Sequence, residues 1–257
     1  MIHSTAVIDS HAEIDPSVEI GPFCVIGPGV KIGRGTRLMS HVIVEGLTTL
    51  GENNTVYPFT DLGAPPQDLK YQGERTRLII GNNNTIREGV TINVGTLQGG
   101  NETRIGNENL LMAYVHLGHD TVVGNHCVLS NSVGVAGHVT IDDYAILTGQ
   151  TGVVQFVRVG AHSYIGGQSG LERDIPPFVI AAGSRPTQIK GANIVGLRRR
   201  GFPAETISKI NDAIKLWIRR DVEKEQCLLD IESQYGELPE IQQFIRFIRD
   251  SKSGVLR

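Results

Sequence analysis

Residues 116–126, HLGHDTVVGNH, hold three of the chain's eight histidines. His116 and His119 lie three apart, and Asp120 follows His119 directly. Three readings of such residues are open. Imidazoles in a cluster can bind zinc. An imidazole beside a carboxylate can act as a general base, because the carboxylate fixes its tautomer. Polar side chains on a solvated face need do neither. His138, in the short stretch AGHV, adds a fourth histidine close in sequence, directly after Gly137.

The choice depends on the elements that position these groups, and the sequence supplies a ruler for them. An aliphatic residue recurs every six positions from Ile2 to Leu62, again at Ile80, Ile86 and Ile92, and without a break from Ile105 to Leu171. Two residues before most anchors stands a small or β-branched residue, as with Ala6, Ala12, Val18, Cys24 and Val30. A period of six matches neither a helix nor a simple alternating strand. It fits short strands that turn a corner every six residues, with Gly and Asn taking positive φ at the corners, and so a solenoid whose coils stack on one another. If three hexads make one coil, residues 18 apart lie side by side, about 4.8 Å along the axis. His119 then stacks on Gly137, Gln155 and Arg173, and Asn131 stacks on Gly149 and Gly167. Gly137 leaves space and a free N–H beside His119, and the stacked Gly149 and Gly167 leave a shallow track suited to an extended chain.

The period breaks at two polar segments, about residues 63–79 and 95–104, which read as loops pushed out of the coil, where function concentrates. It ends after Leu171, and Pro176 and Pro177 mark an exit. From Pro203 the spacing becomes helical, with Ile207, Ile210, Ile214, Trp217 and Ile218 in one stripe. Further helices are expected near 222–235, with Leu228, Leu229 and Ile231 inward, and near 239–250, with Ile241, Phe244, Ile245 and Ile248 inward. The fold expected is mainly β: a β-helix over residues 1–184, then a C-terminal α-helical domain over 185–257.

Composition narrows the classes. With 257 residues, 40% of them hydrophobic, the chain suffices for one large core with a small appendage. Net charge is only −3. No run is long and apolar enough for a membrane span and the N-terminus has no leader pattern, so no stable membrane insertion is expected, nor a nucleic-acid partner. Cys24, Cys127 and Cys227 are far apart with no CxxC, which suits three free thiols in a reducing compartment. Residues 184–257 carry 14 Lys and Arg against 10 Asp and Glu, so the tail is the basic end.

The pattern [LIV]-G-x-x-[small]-x over about residues 1–184 resembles the left-handed parallel β-helix of the bacterial hexapeptide acyltransferases, and the left-handed sense comes from that resemblance. PPQDLKY, GTLQGG, HLGHD, AGHV, QTGVVQF and NIVGLRRRGF together resemble the UDP-N-acetylglucosamine O-acyltransferases, which carry out the first step of lipid A biosynthesis. The resemblance implies a cytoplasmic homotrimer with sites between subunits. It implies transfer of an R-3-hydroxyacyl group from acyl carrier protein to the glucosamine 3-position of UDP-N-acetylglucosamine. No metal or resident cofactor is implied, because the acyl donor arrives on the phosphopantetheine of the carrier protein. Carried over residue by residue, His119 resembles the general base, Asp120 its orienting partner and Gly137 the oxyanion donor. Asp68, Lys70, His116 and His138 resemble sugar-side contacts, Gly149 and Gln155 the acyl and pantetheine groove, and Asn193 and Arg199 contacts to the nucleotide. Gly167 matches a position where a larger residue would shorten the acyl track, which implies a long chain.

The chain departs from the family pattern at Asn93 and Val94, where many relatives show His-Arg, at Val154, where His is common, and at Val195, where an acidic residue is common. The acceptor atom stays open between the 3-hydroxyl and the 3-amine of a diamino sugar. More distant readings are a CoA-dependent sugar acetyltransferase, a zinc carbonic anhydrase-like β-helix using His116, His119, His126 or His138, and a non-catalytic scaffold.

Overall fold

The computed structural model describes residues 1–219 and 221–257. Among these, short strands form three parallel walls of nine, eight and ten strands, the last including one antiparallel member. The first wall begins at Val7–Ile8 and ends at Gly170–Leu171, the second runs from Glu13–Ile14 to Arg158–Val159, and the third from Glu19–Ile20 through Val179–Ala182 to the antiparallel Gln188–Ala192. Successive strands visit the walls in turn, so each coil is a triangle. The register follows the sequence spacing: Val7 pairs with Val25, His116 with Gly134, and Gly134 with Gly152.

The anchors face inward because a hexad places one residue of each two-residue strand in the core and the other outside. Ile20, Ile26, Ile86, Leu117, Val135 and Leu171 are all buried, with Cys24, Val30, Cys127 and Val133 filling the corners behind them. The three cysteines are free and buried. At about 25 cal/mol per Å2 of apolar surface removed from water, this continuous stack is the main stabilising term.

Corners differ from the sequence expectation in one respect. Many take positive φ not at Gly or Asn but at bulky residues, among them Phe23, His41, Phe59, Tyr144, His162 and Phe178. A left-handed conformation costs such residues about 1 kcal/mol each. Stacking offsets it: His126, Tyr144, His162 and Phe178 form one column with ring centroids 4.5, 4.8 and 5.7 Å apart.

Both loops leave the same corner, between the first and second walls. Asp61 pairs with Thr91, 30 residues on, and Thr91 with His116, 25 residues on, where undisturbed coils use 18. The departures Asn93 and Val94 lie at the root of the first loop. Asn93 is buried and its amide donates to the carbonyl of Pro65 at 3.1 Å, while Val94 packs under Gly46.

The coil does not stop at Leu171. Ile175 still bridges Val159, and Val179–Ala182 adds a strand to the third wall before the chain reverses as the antiparallel Gln188–Ala192. Pro176 and Pro177 stand in a corner, where no wall hydrogen bond is asked of their nitrogens, so they do not end the fold. Four helices follow among the described residues: α1 (Ile194–Arg199), α2 (Ala204–Trp217), α3 (Lys224–Tyr235) and α4 (Pro239–Arg249). Ile207, Ile210, Ile214 and Trp217 form the buried stripe of α2, and Ile241, Phe244, Ile245 and Ile248 that of α4. In α3, Leu228 and Ile231 are buried, but Leu229 is 49% exposed, which corrects its inward assignment; at 100° per residue it falls outside the face that α3 turns to α2 and α4. The C-terminus returns to the last coil, where Asp174 bridges Val255 and the Trp217 indole N–H donates to the Leu256 carbonyl.

Candidate active site

His119 and Asp120 sit at the corner between the first and second walls, two and three residues past the anchor Leu117. The solvated-face alternative does not hold here, since His119 is only 6% exposed and Asp120 as little. The second loop folds back over the corner and buries both. Thr96 at its start donates to Asp120 through its N–H, 2.7 Å to Oδ1, and its hydroxyl, 2.6 Å to Oδ2. Thr103 at its end accepts the Asp120 N–H at 2.8 Å. Asp120 itself has φ +59°, a left-handed turn that aims its carboxylate at its own neighbour.

That neighbour completes the arrangement. His119 Nδ1 lies 2.7 Å from Asp120 Oδ2. A carboxylate can only accept, so in the neutral ring Nδ1 carries the proton and Nε2 presents a lone pair. The Cε1–Nε2 edge of the ring lies over the Cα of Gly137, where an added Cβ would stand 2.6 Å from both atoms. Gly137 is thus the stacked neighbour that the 18-residue spacing requires. At equivalent positions of the next corner, the N–H groups of Asn107 and Asn125 are taken by the side chains one coil on, Asn125 and Asp143, at 2.8 and 2.7 Å. Gln155 stands one coil on from Gly137 and makes no such bond, so the Gly137 N–H has no acceptor among the described residues.

His138 meets His119 edge to face, with ring centroids 4.9 Å apart, and stacks on Phe156 at 4.6 Å. Its Nδ1 is 3.6 Å from Asp120 Oδ2, too far for a hydrogen bond. Burial holds its pKa below the usual histidine value, the Asp120 charge opposes that, and Asp68 and Lys70 on the first loop also act on it. Asp68 and Lys70 belong to the first loop, which leaves the coil at the corner between these same two walls. His116 begins the strand His116–Leu117 on the first wall; burial lowers its pKa, and its Nδ1 is 2.8 Å from Thr91 Oγ1.

From His116 a groove of about 550 Å3 runs up the first wall, floored by Gly134, Gly152 and Gly170 and edged by Val154, Gln155 and Arg185. These glycines stack in register, and nothing stands within 4 Å of a Cβ added at Gly134 or Gly152. Four levels from His116 to Gly170 span about 14 Å. This strip was readable from the same ruler, as glycines 18 apart just before their anchors, but was missed. Gly149 and Gly167 stack at the corner that feeds this wall, each about 3.3 Å from the carbonyl below when given a Cβ.

Asn193 and Arg199 stand elsewhere. The Asn193 side chain caps α1, accepting from Gly196 N–H at 3.1 Å and donating to the His162 carbonyl at 2.9 Å, so both its ends are committed within the chain. Arg200 binds the Tyr144 carbonyl at 2.8 Å. These contacts place α1 at the corner between the second and third walls. Arg199 is exposed there and forms no ion pair among the described residues. One chain therefore gathers His116, His119, Asp120, Gly137, His138, Gln155, Asp68 and Lys70, and leaves Asn193 and Arg199 on a different corner.

Among the described residues, His119, Asp120 and His138 are the cluster whose geometry could suit a metal, their ligand atoms lying within 4.8 Å of one another. The Asp120 oxygens, however, already accept Thr96 twice and His119 once. His126 lies at another corner, paired with Glu108 at 3.2 Å.

Relatives decide the family. The acyl-[acyl-carrier-protein]–UDP-N-acetylglucosamine O-acyltransferase of Thermodesulfovibrio yellowstonii is 47% identical over 256 residues, covering 100% of this chain and 99% of that protein. The protein of the same name from Saccharophagus degradans is 48% identical with the same coverage. The chain belongs to the UDP-N-acetylglucosamine O-acyltransferase family. Residues 174–256 match the second domain of that family, and residues 11–46 and 102–137 match the bacterial transferase hexapeptide repeat. The structure of the Francisella novicida UDP-N-acetylglucosamine acyltransferase superposes with a TM-score of 0.97 at 40% identity, covering 100% of this chain and 94% of that one. The fold is the left-handed parallel β-helix of this family, and the protein is an acyltransferase.

Proposed function

We propose that the protein moves an R-3-hydroxyacyl group from acyl carrier protein to the glucosamine 3-position of UDP-N-acetylglucosamine, the first step of lipid A biosynthesis, with His119 as general base. The observation that carries this is the 2.7 Å contact from His119 Nδ1 to Asp120, which leaves Nε2 bare over Gly137. Family membership supports the substrates.

In this reading Nε2 takes the proton of the acceptor as it attacks the thioester carbonyl carbon. The Gly137 N–H donates to the oxyanion, a contact typically worth about 10²–10³ in rate. The tetrahedral adduct then expels the pantetheine thiolate, which receives the proton back from the imidazolium. One C–O bond forms, one C–S bond breaks, and no covalent enzyme intermediate intervenes. His116, His138, Asp68 and Lys70 hold the sugar side, and Gln155, Gly149 and Gly167 line the way for pantetheine and acyl chain beside the glycine strip.

Arg199 faces the nucleotide of a neighbouring copy in a homotrimer, and Asn193, its side chain already spent on capping α1 and on the His162 carbonyl, sets the place of that helix rather than touching the nucleotide. The separation of Arg199 and the His119 group on different corners of one coil supports this, because a second copy must then complete each site. Among the described residues no helix is long and apolar enough to cross a membrane. Three free thiols suit a cytoplasmic enzyme, and the acyl donor is brought by its carrier protein rather than by a resident cofactor.

The test is a transfer assay with UDP-N-acetylglucosamine and a panel of R-3-hydroxyacyl carrier proteins, read by product mass, with the 3-amino sugar nucleotide as a parallel acceptor. The expected product is the 3-O-acyl sugar nucleotide, with a long chain preferred. Absence of transfer from every donor to either acceptor would remove the assignment.

A further inference from the structure

His116 and His119 flank one anchor, and their Nδ1 atoms meet chemically opposite partners. The partner of His119 is a carboxylate, which accepts and so fixes the proton on Nδ1. The partner of His116 is the hydroxyl of Thr91, 2.8 Å away and directly beneath it in the register of the first wall. A hydroxyl can donate or accept. His116 Nδ1 is the one hydrogen-bond partner of the Thr91 hydroxyl among the described residues, so the hydroxyl proton has an acceptor within the protein when it points at that nitrogen.

We infer that Thr91 is a positioning residue, donating to His116 Nδ1 and thereby holding His116 as the Nε2–H tautomer, the opposite of His119. Two histidines at one mouth of the groove then have opposite capacities, His119 to take a proton and His116 to donate a hydrogen bond to an oxygen of the bound sugar or acyl group. Burial lowers the His116 pKa and so favours the neutral ring, which is the form that has tautomers.

The competing arrangement is specific. Asp61 lies one level below Thr91, and its buried Oδ1 has no partner. Were Thr91 to turn its hydroxyl to Asp61, it would accept Nδ1–H from His116 and reverse the tautomer. In the structure the Thr91 hydroxyl bonds His116 and not Asp61.

What the His116 donor meets rests on the proposed function; the tautomer does not. The test is long-range proton–nitrogen correlation on the whole protein labelled at histidine nitrogen, with signals assigned through His116→Gln and His119→Gln. The expected result is Nε2–H at His116 and Nδ1–H at His119, with Thr91→Ser retaining the pattern and Thr91→Val losing it at His116 alone. In kinetics Thr91→Val should raise KM for the sugar nucleotide about 3- to 10-fold, with a smaller change in kcat, the size of one neutral hydrogen bond. Thr91→Ser should restore wild-type KM. An Nδ1–H signal at His116 in the wild-type protein, or one tautomer unchanged in Thr91→Val, would overturn the inference. Wild-type protein that shows the expected tautomers but transfers no acyl group would leave it standing and sink the functional reading instead.

Discussion

The His119 ring lies against Gly137 so closely that a single methyl group on Gly137 would stand 2.6 Å from Cε1 and Nε2. The contact joins the atom proposed to take the proton to the residue proposed to hold the oxyanion, so a change in one moves the other. Gly137→Ala should displace the imidazole while leaving the stacked coils intact. The expected loss is about 10²-fold in kcat, the size of a misplacement near 1 Å, with an unfolding midpoint close to wild type. Steady-state kinetics beside thermal unfolding checks both halves.

Asp120 is the hinge between the second loop and the base. Its oxygens take three donors, two from Thr96 and one from His119. An amide offers one acceptor oxygen in their place, so Asp120→Asn must set an N–H against one of these donors. The expected outcome is a fall of about 10²–10⁴-fold in kcat and a loss of about 1.5–3 kcal/mol in unfolding free energy, as for a hydrogen bond to a charged group. Wild-type kcat with lowered stability would mean that Asp120 serves the loop alone.

Much of this was legible because the period of six is a geometric statement. Once Leu117 and Val135 are recognised as equivalent anchors, the contact between His119 and Gly137 follows from counting. What counting could not supply was the path of the extruded loops. GTLQGGNETR read as a functional loop, yet nothing in its spacing said that Thr96 and Thr103 return to grip Asp120, because a loop outside the coil has no register. The inward assignment of Leu229 failed for a related reason: in a short helix two leucines side by side cannot both face one partner, and the packing of α3 on α2 and α4 chose Leu228. The positions of Asn193 and Arg199 depend on where α1 docks, which sequence spacing does not set.

The ring column at the corner between the second and third walls gives the fold a dependence on pH. Burial pushes His162 down to about 4 from its ordinary 6.5, with Arg200 adding to the effect and Asp143 opposing it. Between those values the unfolded chain takes the proton first. Stability from the neutral ring is therefore full above pH 6.5, declines as pH falls, and is gone below about 4. Urea unfolding of wild type and His162→Phe across this window should show the wild-type midpoint falling more steeply, since phenylalanine keeps the stack without titrating. Parallel curves would exclude His162 as the source.

Division of the site between corners predicts complementation. His119→Ala and Arg199→Ala should each be nearly inactive alone. Unfolded together and reassembled, they should recover activity that neither has, through sites with an intact His119 from one copy and an intact Arg199 from another. Activity no greater than the sum of the parents would place both groups in the service of one chain.

The role of His119 is tested most directly by kcat/KM of His119→Ala in the transfer assay, with circular dichroism and hydrodynamic size measured on the same sample. The expected result is a loss of at least about 10²-fold in a protein whose secondary structure and size match wild type. A turnover within a few-fold of wild type would show that the proton leaves by another route, and the base assigned to this corner would have to be abandoned.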